Sequence, residues 1–325
     1  MRGVTTIGYH ASHEQHAPSA LLDVARAAVD AGFTAVSSSD HLTPWSRDQG
    51  QSGFAWSWLG SAMQAVPDVP FGVVNAPGQR YHPVVIAQAI ATLGEMYPDR
   101  LWVALGSGEA SNEHVTGEPW PAKAERNARL GECVDVIRAL LRGEEVSLDG
   151  HVRVDRARLW TLPAAPTPLI GAALSEETAR WCGGWADGLI TVHVPPDALR
   201  RLIAAFREGG GEGKPVYVQV KVAWAPTEEE ALAGAHEQWR TNVFPSVLMA
   251  DIETVEQFEA AAAHVRPDDV RHSVLVSSDP KQHAAWLHET LELGVDGLYI
   301  HQVPRDQMGF IETFGSEVVP EVVGR

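Results

Sequence analysis

The feature that most constrains the fold is an alternation that repeats along almost the whole chain. A short apolar run is followed by an amphipathic stretch, and the pair recurs about eight times. The apolar runs fall at 5–9, 35–39, 69–74, 101–105, 168–173, 188–192, 216–223 and 297–300. Between them lie segments with helical periodicity at 17–31, 53–65, 83–97, 121–141, 175–185, 195–208, 227–239 and 280–293, and a last one follows at 307–314. Strands joined through helices are parallel, because the chain must return to the same end of the sheet. Eight such units fit a closed barrel of about 250 residues with extensions. An open doubly wound sheet would carry a glycine fingerprint in its first strand–helix turn, and that turn reads His10-Ala11-Ser12-His13. The expected fold is therefore α/β, a (β/α)8 TIM barrel forming one domain over 1–325. Two insertions break the rhythm. The first, at about 143–166, alternates apolar and polar residues around Asp149-Gly150, the pattern of a hairpin. The second, at about 241–279, is irregular and precedes strand eight.

Charge narrows the function. The formal net charge is −17, which disfavours nucleic acid and anionic membranes as partners. No apolar stretch has membrane-spanning length, and Met1-Arg2-Gly3-Val4 does not open a signal peptide. Cys133 and Cys182 lie in helical segments without CxxC spacing and read as reduced, buried thiols of a cytoplasmic protein.

In a TIM barrel the active site lies at the carboxyl ends of the strands. Those ends carry His10, Asp40 and His41, Asn75, Glu109 and Asn112, Ser175, Thr191 and His193, and His301. Loops are polar in general, but four histidines at strand ends point to a catalytic face. Lys221, on strand seven, could meet an anion there, as could Arg271, although structural pairing is the commoner fate of such residues. His13 and His16 continue a three-residue spacing from His10, yet Pro18 delays the helix, so they read as solvated loop residues. Gly106-Ser107-Gly108-Glu109 is either a tight turn or a place where ligand approaches backbone and N–H groups hold an anion. Trp56, Trp58, Trp181 and Trp185 read as core. Trp45 follows Asp40-His41 and Pro44 in a loop and reads as a pocket wall.

Three stretches together resemble the luciferase-like flavin oxidoreductases. They are Ser39-Asp40-His41 with Pro44-Trp45, Arg80-Tyr81-His82-Pro83 with Ile86-Ala87-Gln88-Ala89, and Gly106-Ser107-Gly108-Glu109-Ala110 with Asn112-Glu113. The resemblance covers nearly the whole chain. Its nearest branch is the coenzyme F420-dependent glucose-6-phosphate dehydrogenases. The opening Gly8-Tyr9-His10-Ala11-Ser12-His13-Glu14-Gln15 is closer still to a sub-branch described as using flavin rather than F420.

The resemblance implies a flavin or deazaflavin lying across the carboxyl face, FMN by the opening motif, with F420 as the alternative. It assigns Asp40 to the edge of the ring, with His41 as acid/base beside the substrate carbon. Trp45 walls the reaction site, and Glu109 is a second proton-transfer group. It places a non-proline cis peptide at Val73-Val74 behind the ring, and contacts from Asn75 and Asn112. The cofactor phosphate is expected on backbone amides at Gly106, Ser107 and Gly108 and at Ala173, Leu174 and Ser175. His10, Thr191, His193, Lys221 and His301 are expected to line the substrate pocket. The implied reaction is hydride transfer between cofactor and a small organic substrate, with His41 handling the hydroxyl proton. A homodimer is implied as well.

Departures from the branch bear on substrate. The dehydrogenases hold a sugar phosphate with a lysine after strand six and a basic residue in the second insertion. Here the first region reads Thr191-Val192-His193-Val194-Pro195-Pro196 and the second Arg271-His272-Ser273, which argues against glucose 6-phosphate. Two other classes stay open at this point: a metal-dependent barrel hydrolase using the strand-end histidines, and a non-catalytic ligand-binding barrel.

Overall fold

The computed structural model describes residues 5–323; residues 1–4, which include the stretch read for a signal peptide, lie outside it, as do 324–325. The strands in chain order are β1 (Thr6–Ala11), β2 (Ala35–Ser39), β3 (Phe71–Asn75), β4 (Leu101–Leu105), β5 (Val146–Asp149), β6 (Arg153–Ala157), β7 (Leu169–Ala172), β8 (Gly188–Val192), β9 (Val216–Ala223), β10 (Leu275–Val276) and β11 (Gly297–Gln302). Parallel pairing runs β11–β1–β2–β3–β4–β7–β8, and β9 closes the ring by pairing with both β8 and β11. This is the expected (β/α)8 barrel. β10 stands outside the wall, adding Leu275 and Val276 to the end of β9.

Local chemistry sets the helices. Helix Pro18–Asp30 starts on a proline, whose missing N–H has no partner to lose there. Its buried Leu21, Val24, Ala25 and Ala28 form one stripe against the barrel. Ser175 caps helix Glu176–Gly183 through the Thr178 N–H, as expected, and Thr227 with Glu230 forms a capping box on helix Glu228–Trp239.

The barrel's lower interior is filled by aromatics. Trp102 stacks on Tyr217 at 5.6 Å, packs edge-on to Tyr299 at 5.3 Å, and donates its indole N–H to the Tyr299 hydroxyl at 2.9 Å. Glycines make the room. A Cβ at Gly72 would fall on the Trp102 indole and one at Gly8 on the Tyr299 ring. These rings fill the amino-terminal half of the barrel interior.

Both insertions dock on the barrel. β5 and β6 pair antiparallel, the expected hairpin, and the Arg153 carbonyl meets the His82 ring at 2.8 Å. The stretch 241–279 contains helices Ser246–Met249 and Val255–Ala261, a 3-10 turn Pro267–His272, and β10. Arg47, in the loop after β2, bridges Glu256 and Glu259 of this insertion at 2.6 Å each. The Ala110 N–H donates to the Ala250 carbonyl at 2.9 Å. The last helix begins at Gln307 as expected but runs on through a wide turn, Phe314–Val318, into Val319–Val323. Cys133 and Cys182 are free and buried, and burial pushes both thiols up to about 12.

Candidate active site

The rim is built around the loop after β1. Ser12, His13, Glu14 and Gln15 are all buried. The Ser12 hydroxyl donates to Glu14 at 2.7 Å, and the His13 ring packs edge-on against Trp58 at 5.0 Å. His13 is therefore a core residue and His16 is partly buried, which corrects their reading as solvated loop histidines: the loop folds inward across the mouth.

Glu14 meets His41. Nδ1 of His41 stands 2.7 Å from Oε1 of Glu14, with the imidazole a fifth exposed and the carboxylate 1% exposed. Burial works against the charge on His41, but the Glu14 carboxylate outweighs it and holds the imidazole above its ordinary value. Burial likewise opposes the charge on Glu14, yet His41 and the Ser12 hydroxyl keep it well below the usual carboxylate range. The His41 ring packs edge-on to Trp45 at 4.6 Å. Glu109 lies on the loop after β4, with Oε2 buried and without a partner. Burial raises its carboxyl and the Glu14 charge adds to that, against the pull of His41 and Lys221.

Asp40 is braced rather than free. Asn75 Nδ2 donates to its Oδ2 at 2.6 Å, the Tyr81 hydroxyl donates to Oδ1 at 3.0 Å, and Arg80 stands 3.5 Å from Oδ2. Arg80 also donates to the Asp40 carbonyl at 2.6 Å, and its own N–H donates to Glu113 at 2.7 Å. Asn75 Oδ1 is left buried and unpartnered. Asn112 spends its side-chain oxygen on the Leu42 N–H at 2.8 Å and the Thr43 N–H at 3.4 Å. It thus pins the loop that carries Trp45.

The cis peptide expected at Val73-Val74 is absent; no cis bond occurs among the described residues. Both valines keep straight parallel register with β2 and β4, so β3 has no bulge there. Val73 packs among the helix-facing core residues, and only Val74 faces the barrel interior.

The expected phosphate cradle is partly occupied by the protein itself. The Gly106 N–H donates to the Asn75 carbonyl at 2.9 Å, and the Ala173 N–H donates to the Ile190 carbonyl at 3.1 Å. That leaves Ser107, Gly108, Leu174 and Ser175. Gly108 has φ +81, a left-handed conformation that glycine adopts without penalty. Lys123, missed in the sequence, donates to the Ser107 hydroxyl at 2.7 Å and brings a cation to this loop. A pocket of about 300 Å³ is lined by Leu174, Ser175, Glu176, Val194, Ala198 and Leu202.

On the far side of the rim, His10 and His301 stand 5.1 Å apart, centroid to centroid. The Gln15 amide donates to the Val303 carbonyl at 2.7 Å, so its oxygen, 2.6 Å from His301 Nε2, accepts from that nitrogen. Nδ1 of His301 is then a bare acceptor, buried without a partner. Burial lowers His10 to about 3 and takes His301 well below its ordinary value. Burial, then Lys221, lowers His193. Thr191 is buried with its hydroxyl unpartnered. Lys221 sits opposite His301 in the β9–β11 register, with Nζ 5.7 Å from the Trp239 ring. Trp239, which no local signal marked, ends helix Glu228–Trp239 and touches Trp45 at 5.6 Å and His301 at 5.0 Å. Arg271 is paired with Glu228 at 2.9 Å. No group of three or more His, Cys, Asp or Glu among the described residues is arranged to hold a metal.

Five of the strand-end residues, His10, His41, Glu109, Lys221 and His301, are therefore gathered at one rim with an imidazole–carboxylate pair and an aromatic wall. A closed barrel that gathers these groups at its carboxyl rim has the architecture of a TIM-barrel enzyme. The model of the luciferase-like monooxygenase family matches residues 2–297, and the chain belongs to that family. It is an oxidoreductase. It is 34% identical, over 97% of its length and 96% of the relative's, to the F420-dependent glucose-6-phosphate dehydrogenase of Nakamurella multipartita. It is 32% identical to the enzyme of that name from Mycobacterium tuberculosis, over 97% of each chain. A solved F420-dependent secondary alcohol dehydrogenase in complex with an F420-acetone adduct superposes with a TM-score of 0.91 at 31% identity, covering 98% of this chain and 99% of that one. These relatives favour F420 over FMN, against the expectation from the opening motif.

Proposed function

We propose that this protein is an F420-dependent dehydrogenase acting on a small secondary alcohol. The single observation that carries the reading is the 2.7 Å contact between His41 Nδ1 and Glu14 Oε1 beneath Trp45. With the ring proton on Nδ1, toward that carboxylate, Nε2 is the base. Nε2 accepts the hydroxyl proton of the substrate, and the buried Glu14 charge stabilises the imidazolium that results. Glu109, its carboxyl raised, holds a second proton at the rim. Trp45 and Trp239 wall the reacting carbon from water.

The residues present fit a deazaflavin. Asn75 Oδ1 and Glu109 Oε2 are buried and lack partners, and a ring edge bearing carbonyl and N–H groups would supply them. Ser107, Gly108, Leu174 and Ser175 offer backbone N–H groups for a phosphate, with Lys123 alongside. When bound, F420 supplies the two-electron acceptor that takes hydride from the carbinol carbon.

Titration of the purified protein with F420 and with FMN, followed by a screen of secondary alcohols with F420, tests the reading. Binding of F420 in preference to FMN, with alcohol-dependent reduction, is expected. Preference for FMN, or no turnover with any alcohol, overturns it.

A further inference from the structure

Lys221 lies at the rim with no carboxylate at ion-pair distance among the described residues, Glu109 acting on it from farther off. Among the described residues no hydrogen bond and no ion pair of its ammonium is found, and its Nζ lies 5.7 Å from the Trp239 ring. A partly buried cation left this way is unfavourable unless something compensates its charge. None of the groups around it pairs with it directly. Glu109 is the carboxylate that acts on it, and burial holds that carboxyl toward its neutral form. His10, His193 and His301 are held neutral. Thr191 and Nδ1 of His301 are neutral, buried and unpartnered polar atoms on the neighbouring strands. A run of ring contacts, His41 to Trp45 at 4.6 Å and Trp45 to Trp239 at 5.6 Å, leads from the base to the indole under Lys221. One wall of the pocket thus has a proton acceptor at one end and a free cation at the other.

We propose that Lys221 determines specificity by binding a compact oxyanion, a carboxylate or a phosphate, carried by the alcohol a few bonds from the carbon that loses hydride. The neutral His301 Nδ1 accepts from a further hydroxyl of the same substrate. This rests on the dehydrogenase reading above and adds the class of alcohol. Burial pushes the Lys221 ammonium down to about 8, as expected of a cation lacking a fixed counter-charge.

The test pairs binding with kinetics. Lactate and inorganic phosphate are titrated calorimetrically into the full chain, with and without F420, for wild type, Lys221→Met and Lys221→Arg. The folded state of each variant is checked by circular dichroism. Lactate is then compared as substrate with 2-butanol, in which an ethyl group replaces the carboxylate. The expected result is that wild type binds one of the anions about 10- to 100-fold more tightly than Lys221→Met, the range of a charge-assisted hydrogen bond. Lys221→Arg should recover part of that affinity, and F420 affinity should be alike in all three. Binding of lactate alone identifies a carboxylate substrate, and binding of phosphate a phosphate ester. Equal anion affinity in wild type and Lys221→Met, or no anion binding at all, overturns the inference, even if 2-butanol is oxidised. Lys221-dependent anion binding without turnover of any alcohol upholds it while removing the proposed reaction.

Discussion

His41 Nδ1 and Glu14 Oε1 lie 2.7 Å apart, and the Glu14 charge holds the imidazole above its ordinary value. In the proposed reaction Nδ1 faces this carboxylate and Nε2 takes the substrate proton. Glu14→Gln keeps the shape and removes the charge. Its kcat is expected to fall about 100-fold with little change in KM. The pH profile gives the sign. His41 accepts a proton only when neutral, so alcohol oxidation rises with pH through the His41 pKa. Glu14 holds that value above the ordinary imidazole range, so the rise in the variant moves to lower pH. Steady-state kinetics across the neutral range check it, and an unmoved limb would dissociate Glu14 from the base.

His41→Ala separates chemistry from binding. The imidazole is expected to act on the substrate proton and not to hold the cofactor. Affinity for F420 should therefore stay within a few-fold while turnover falls about 100- to 10,000-fold, the usual contribution of a positioned general base. Fluorescence titration and single-turnover rates measure the two quantities independently. Undiminished turnover removes His41 from the mechanism.

The barrel could be read from the chain because alternation of period and length is a local signal. β2, β4, β8 and β9 have the bounds read from the sequence. Strand-end residues could be read for the same reason: topology alone sends His10, His41, Glu109, Lys221 and His301 to one rim. Their roles were harder to see. Glu14 looks like a loop residue until the β1 loop is known to fold inward. Trp239 closes a helix far along the chain, and only barrel closure brings it to Trp45. Lys123 opens helix Lys123–Leu141 and reaches Ser107 by tertiary packing. Asn112 and Gly106 carry structural bonds that the sequence did not announce. Each sits where a ligand contact was expected, but neighbouring backbone groups claim the Asn112 side-chain oxygen and the Gly106 N–H.

Arg80 is the cation on which two buried carboxylates depend. It stands 3.5 Å from Asp40 and 3.8 Å from Glu113, with its side chain 9% exposed. Arg80→Met leaves both acids buried without it, a change expected to cost about 3–5 kcal/mol. Chemical denaturation measures it. The double variant Arg80→Met, Asp40→Asn should recover part of the loss, since it removes one of the stranded charges. Additive losses would mean that Arg80 stabilises through packing instead.

Lys123 should report on the cofactor phosphate. Its Nζ is 2.7 Å from the Ser107 hydroxyl, on the loop proposed to hold that phosphate. Lys123→Ala is expected to weaken F420 binding about tenfold and to leave kcat unchanged at saturation. The difference between wild type and variant should shrink as salt rises, because screening weakens the attraction. F420 titrations at low and high ionic strength test both parts. A loss of affinity that ignores salt would point to a rearranged loop.

Stability should fall on mild acidification, and the buried histidines say why. Burial holds His10 to about 3 and His283 to about 4, with side chains that are essentially inaccessible. In the unfolded chain both take up protons below the ordinary imidazole value of about 6.5, whereas the folded protein refuses them. Stability rises with pH wherever the unfolded state binds more protons. It therefore drops as pH falls from about 6.5 toward about 4, approaching 1.4 kcal/mol per pH unit for each such group. His41 acts in the opposite sense, since its raised value favours proton uptake by the folded state, and it offsets part of the loss. The depressed Glu14 adds to the loss only once pH reaches the ordinary carboxylate range. His283 isolates one contribution away from the rim. Its Nε2 donates to the Ser277 carbonyl at 2.9 Å, a bond that an amide N–H can replace, and its ring packs 5.2 Å from Phe314. His283→Gln should thus flatten the pH dependence of unfolding free energy by about one proton below pH 6. Denaturant titrations at a series of pH values read the slope directly, and an identical slope in the variant would place His283 outside the acid response.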